Sequence, residues 1–160
     1  MKKQYVHLGV PLICGGCMLL LYFLPQFQYD REAISDGSWV LLYSGHFSHW
    51  DADHLMWDVL TFVLLAFLLI RQNAKAFYKI LFFGPWIISL FMWFGVTEMN
   101  YYRGISGIDA ALFVALAMCY WQKEDKVLSL LMLVCIFGKI IFEYSSQSSI
   151  FTADGNYVVL

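Results

Sequence analysis

A serine stands between two glycines in Gly104-Ile105-Ser106-Gly107, at the mouth of the apolar run Ile105 to Trp121. Its hydroxyl is open to close approach, because glycine carries no Cβ. If the run is a helix, the serine also lies beside the unpaired backbone N–H groups of the first turn, which suit a developing oxyanion. The chemistry such a group can do is nucleophilic attack on a carbonyl. The same spacing also serves as a notch of small residues through which membrane helices touch. A second polar stretch shifts the balance toward chemistry. It reads Gly45-His46-Phe47-Ser48-His49-Trp50-Asp51-Ala52-Asp53-His54-Leu55-Met56-Trp57-Asp58, the opening of a second apolar helix. His54 and Asp58 are four apart and share a helix face, with His49 just upstream. Ionisable side chains at a membrane edge are functional-site candidates. Two other readings stand beside this one. The histidines could cap an interfacial helix, or His46, His49, His54 and Asp58 could ligate zinc or iron, although their spacing matches no metal motif.

The elements that must position these residues follow from composition. Of 160 residues, 61% are hydrophobic and only 14% charged, against about 45–50% and about 25% in soluble domains. This composition predicts an integral membrane protein of one domain, residues 1–160. A net charge of −2 gives no sign of a nucleic-acid partner. Cys14, Cys17, Cys119 and Cys135 all lie in apolar runs and define no disulfide framework. Cys14-Gly15-Gly16-Cys17 reads as a redox pair or as helix packing; thiols in a hydrophobic helix stay protonated, which favours packing.

Lys2 and Lys3 ahead of the run Val6 to Leu24 fit a signal peptide, but no small-x-small cleavage site closes the run. It reads instead as a first membrane helix ending at Pro25. Further runs at His54 to Ile70, Ala76 to Val96, Ile105 to Trp121 and Val127 to Phe142 make five helices. Several are short for a hydrocarbon core of about 30 Å, which points to a thinned membrane or a water-filled cavity. Lysine and arginine concentrate at alternate ends: Lys2 and Lys3, then Arg71, Lys75 and Lys79, then Lys123 and Lys126. The intervening connections hold only Arg31 and Arg103. The N-terminus is therefore expected in the cytoplasm, with loops 25–53 and 97–104, Ser106 and the tail after the fifth helix facing outward. Within the long first loop, Trp39 to Tyr43 reads as an interfacial segment.

Together the two motifs resemble the rhomboid family of intramembrane serine proteases, and the small bacterial rhombosortase branch in particular. The family pattern is a histidine, four residues, a histidine, three residues and an asparagine on the second helix, then Gly-x-Ser-Gly opening the fourth. Here it reads His49, His54, Asp58, then Gly104-Ile105-Ser106-Gly107. The lead-in Trp39 to His49 and the phrase Tyr102 to Gly107 are also similar, so the likeness runs from about residue 39 to the end of the fifth helix. The resemblance implies an all-α membrane protein with a rhomboid-like transmembrane helix bundle. Five helices lie within these residues and a sixth is expected beyond them, so the domain reads as C-terminally incomplete.

It further implies that Ser106 is the nucleophile, that His54 and Asp58 line an oxyanion pocket with the Ser106 N–H, and that His49 supports the pocket. Gly104 and Gly107 frame it. Neither cofactor nor metal is implied. The partners implied are the lipid bilayer and a transmembrane protein substrate, for which the rhombosortase likeness implies a glycine-rich C-terminal sorting tail. The location implied is a bacterial inner membrane.

Two departures stand out. Asp58 replaces the asparagine, and a carboxylate donates a hydrogen bond only when protonated; it is either a protonated donor or a structural group. Rhomboids also activate the serine with a histidine on the sixth helix, whereas His7, His46, His49 and His54 all precede Ser106. A serine is a weak nucleophile without a base. The chain is then a fragment of an active enzyme or a silent relative that binds membrane clients; the fragment is favoured, because losing one helix would expose the polar faces of helices two and four. Asp109, three residues after Ser106, either orients the absent base or hydrogen-bonds to the second helix. Lys139 and Glu143 are spaced to pair, as in the rhombosortase branch, and Pro85 reads as a kink.

Overall fold

The protein, described by a computed structural model over residues 2–146, is all-α. Six helices and one two-residue antiparallel ribbon are present among the described residues. The order is α1 (Lys2–Tyr22), a 3-10 turn (Pro25–Phe27), β1 (Tyr29–Asp30), α2 (Arg31–Ser35) and α3 (Leu41–Ser44). A second 3-10 turn (Gly45–Phe47), α4 (Ala52–Gly95), β2 (Tyr101–Tyr102), α5 (Ser106–Gln122) and α6 (Lys126–Ser146) follow. The tail expected to face outward lies outside the described residues.

The two central runs form one long element, α4, broken at Asn73, whose backbone leaves helical geometry (φ −156°, ψ 83°). The Asn73 side chain accepts from the Ala76 N–H at 3.1 Å, capping the helix that resumes after it. The chain reverses at this break. The Asp58 carboxylate touches the N–H of Ile105, and Ile88 abuts the position of a Cβ on Gly107. A straight helix would hold residues 58 and 88 about 45 Å apart, so both arms must bring them to the same end. Each arm has about 21 residues and is roughly 31 Å long, matching a bilayer core. The helix Ala52–Gly95 is long and apolar enough to cross a membrane, and Gly9–Tyr22 is a shorter apolar helix.

The interior is apolar and continuous. Met18 of α1, Phe62, Leu69 and Phe77 of α4, and Ile108 and Leu112 of α5 are fully buried in one cluster. Pro85 does not break its arm: the only non-helical backbone inside α4 is at Asn73. Proline leaves the carbonyl four residues earlier without its helical donor. That carbonyl, Leu81, accepts instead from the Tyr43 hydroxyl at 3.0 Å.

The first loop is less a linker than a small cap. Trp39 and Val40 are exposed as an interfacial segment would be, but Leu41 and Leu42 are buried. Helix α4 starts at Ala52 rather than Gly45, where the sequence had suggested it opens; Asp51 caps it by accepting from the His54 N–H at 2.8 Å. The cap is tied down by β1–β2, which pairs Tyr29 with Tyr102 and Asp30 with Tyr101. Arg31 donates to the carbonyl of Trp93 at 2.6 and 3.0 Å and stacks 4.7 Å over its ring, closing the end of α4. At the opposite end Lys123 hydrogen-bonds to Gln72, so the basic turns after α4's first arm and after α5 lie together, away from Ser106.

Candidate functional site

Asp58 is the centre of the site. Its Oδ2 lies 3.1 Å from His49 Nε2, 3.2 Å from His54 Nε2 and 3.2 Å from the backbone nitrogen of Ile105. A backbone N–H can only donate, so Oδ2 is an acceptor, and the two imidazole N–H groups complete its shell. Of the two roles open to Asp58, this is the structural one: the carboxylate pins His49, His54 and the start of α5 rather than offering a proton. Among the described residues, no group of three or more His, Cys, Asp or Glu side chains is set to hold a metal ion.

Three further features aim the backbone ahead of Ser106. Ribbon β1–β2 delivers the chain at Tyr102. Arg103 donates to Gln28 Oε1 at 2.8 Å and to the His49 carbonyl at 3.2 Å, and lies 4.3 Å over the Trp50 ring. Gly104 then takes φ +128°, and a Cβ there would sit 3.0 Å from His54 Cε1 and 3.4 Å from Asp58 Oδ2. Only glycine both adopts that backbone and leaves room for the imidazole.

Ser106 is the first residue of α5 and is exposed. Ile108 and Asp109 N–H groups already bond to the Ile105 carbonyl, while the earlier N–H groups of the turn have no intrahelical acceptor. A carbonyl approaching Ser106 thus meets a helix N-terminus, which favours negative charge. Gly107 serves packing as well: a Cβ there would lie 3.0 Å from Ile88 Cδ1.

No family model, no curated protein and no solved structure matches the chain. What the site does must therefore be read from its own geometry.

That geometry gathers most of the residues singled out from sequence. His49, His54, Asp58, Gly104 and Gly107 converge at the mouth of α5, where Ser106 is exposed. Asp109 is buried, with no hydrogen bond to α4 among the described residues and no partner for its Oδ1; the base it was alternatively expected to orient lies outside the described residues. Lys139 and Glu143 do pair, at 2.5 Å. His46 belongs to a separate polar thread. Its Nε2 donates to Ser89 Oγ at 2.9 Å, and that hydroxyl donates to the Leu42 carbonyl at 2.5 Å. Burial pushes the His46 pKa down to about 4, against the pull of the Pro85 and Gly104 backbones.

Tyr102 heads the phrase singled out from sequence, but sequence reasoning gave it no role. It is buried beside Ser106, its ring 5.2 Å from His46. Burial holds its phenol far above the usual tyrosine range; the Ser106 hydroxyl and the Gly107 N–H pull the other way, and Asp58 and Asp109 add to the rise. It stays neutral. Its signal in the sequence was its place at the head of the phrase Tyr102 to Gly107.

Proposed function

We propose that this protein is an intramembrane serine endopeptidase with a rhomboid-like helix bundle, in which Ser106 attacks a peptide carbonyl of a membrane-anchored substrate. The observation that carries this reading is the Asp58 junction, which joins the histidine motif to the turn that presents Ser106 across 47 residues of chain. Exposed serine, helix N-terminus and flanking imidazoles are the components of acyl transfer. Large apolar side chains cover the outside of the long helices, including Leu12, Leu60, Phe82, Ile87 and Phe137. Such a surface suits lipid, not water. With basic residues at one end and Ser106 at the other, the N-terminus is cytoplasmic and cleavage occurs at the outer side of what we take to be a bacterial inner membrane. The substrate class is a transmembrane protein, with a glycine-rich C-terminal sorting tail as the candidate on the resemblance noted above.

A second reading has an observation in its favour. All four histidines of these 160 residues precede Ser106, and none of them stands where a rhomboid carries its base. The protein would then bind membrane clients without cutting them. Reconstitution in liposomes with a tagged single-span reporter carrying such a tail separates the two. Cleavage that stops in Ser106→Ala supports the protease. A reporter that co-purifies intact with both forms supports the binder.

A further inference from the structure

We infer that Tyr102 positions the Ser106 nucleophile: with substrate bound, its phenol accepts from the Gly107 N–H, donates to Ser106 Oγ, and fixes the direction in which the serine hydroxyl points. This rests on the serine-hydrolase reading above and adds a positioning residue to it. The buried phenol meets Ser106, not substrate, and gives up no proton.

Three observations converge on Tyr102. The first is an unpaired donor. The side chain is buried, and its hydroxyl has no hydrogen-bond partner among the described residues. A buried hydroxyl without a partner destabilises the fold, and a phenylalanine would fill the same space without one. The second is what lies beside it. The hydrogen-bonding groups that act on the phenol are the Ser106 hydroxyl and the Gly107 N–H, whereas Asp58 and Asp109 act on it through their charge alone. The third is that the ring is held. Its backbone pairs with Tyr29 in the ribbon, and its ring meets that of His46 edge to face with centroids 5.2 Å apart. Gly104, at φ +128°, turns the chain between Tyr102 and Ser106.

The direction of each bond follows from the helix. The N–H groups of Ile108 and Asp109 both bond to the Ile105 carbonyl. Gly107 is the second residue of α5, and its N–H has no intrahelical acceptor. An N–H can only donate, so the phenol oxygen is its acceptor, and the phenol hydrogen remains for Ser106 Oγ. The Ser106 N–H stays available to an oxyanion. A phenol donates only while protonated, and burial together with the two nearby carboxylates keeps it so.

Ser106 is exposed at the first turn, where its side chain has three staggered positions to rotate through. A fixed donor selects one of them. The phenol takes one lone pair of Oγ, which leaves the other lone pair for the carbonyl carbon and turns the hydroxyl hydrogen away from Tyr102. In the free protein the contact is not yet a closed hydrogen bond; such contacts tighten when substrate is bound.

The test is the rate of fluorophosphonate labelling of the full chain in lipid, with Ser106→Ala as the blank and the melting temperature measured alongside. Tyr102→Phe removes a single oxygen. Its labelling should slow about three- to tenfold, the equivalent of one hydrogen bond. Its melting temperature should hold or rise, because the hydroxyl it loses has no partner in the free protein. Infrared spectroscopy gives a second readout, with isotopically labelled tyrosine introduced at position 102 alone. The C–O stretch of Tyr102 should shift between the wild-type chain and Ser106→Ala. Labelling of Tyr102→Phe at the wild-type rate overturns the assignment and leaves the serine-hydrolase reading standing. Slower labelling with a lower melting temperature and an unshifted C–O band also overturns it, since that pattern is one of packing. A wild-type chain that never labels overturns both. If Tyr102→Phe does not fold, the infrared comparison decides alone: a shifted band supports the assignment, and identical bands overturn it.

Discussion

Gly104 holds the backbone at φ +128° with the His54 ring 3.0 Å from its missing Cβ, and the site depends on that gap. In Gly104→Ala the methyl must displace the imidazole or shift the turn. We expect a stability loss of about 1–3 kcal/mol and a larger loss at the site, with fluorophosphonate labelling reduced by more than tenfold in protein that still melts cooperatively. Labelling unchanged in the folded variant would show that the His54 position is not critical. His46 makes a separate prediction. Its folded pKa, lowered by burial to about 4, lies below the ordinary value near 6.5. The unfolded chain therefore binds more protons between these values, and stability present above pH 6.5 is lost as the pH falls toward 4. The loss is about 3 kcal/mol, and His46→Gln should remove it; thermal unfolding at pH 7 and pH 4 checks this. At this scale the sequence was informative where type and spacing were unusual, as at Ser106, His49, His54 and Asp58. Ser89 sits among apolar neighbours, and its importance comes from His46 and Leu42, far along the chain. Spacing cannot reveal those.

At the scale of elements, the apolar runs predicted the long helices well, and the connection between the second and third was expected near Asn73. What the runs did not reveal is how the ends are closed. Arg31 and Arg103, counted from sequence as loop charges, spend their guanidinium groups on carbonyls and aromatic rings. Pro85 was expected to kink its helix, and the helix runs on because a hydroxyl from another element bonds to the carbonyl that the proline strands. Tyr43→Phe should cost about 1–3 kcal/mol by leaving that carbonyl unpaired. In a Pro85→Ala background residue 85 regains its N–H, and the same substitution should cost much less. A double-mutant cycle by thermal or denaturant unfolding measures the difference. Equal costs in both backgrounds would mean that Tyr43 contributes through packing alone.

The whole molecule has two unlike ends joined by apolar helices. One carries the turns with Arg71, Lys75, Lys123 and Lys126, brought together at the Lys123–Gln72 contact. The other carries the cap, the ribbon and the Asp58 junction. The gathering of these basic turns at one end was legible in the alternation of basic connections along the chain. The folding of the first loop into a cap was not, since its short helices bury only a few side chains each. The central claim is that this arrangement makes Ser106 a nucleophile. The most direct measurement is mass spectrometry of the folded, lipid-embedded chain after treatment with a fluorophosphonate, followed by mapping of the modified peptide. The account predicts one adduct, on Ser106, absent from Ser106→Ala and from heat-denatured protein. No adduct on a chain shown to be folded, or an equal adduct after denaturation, would contradict it.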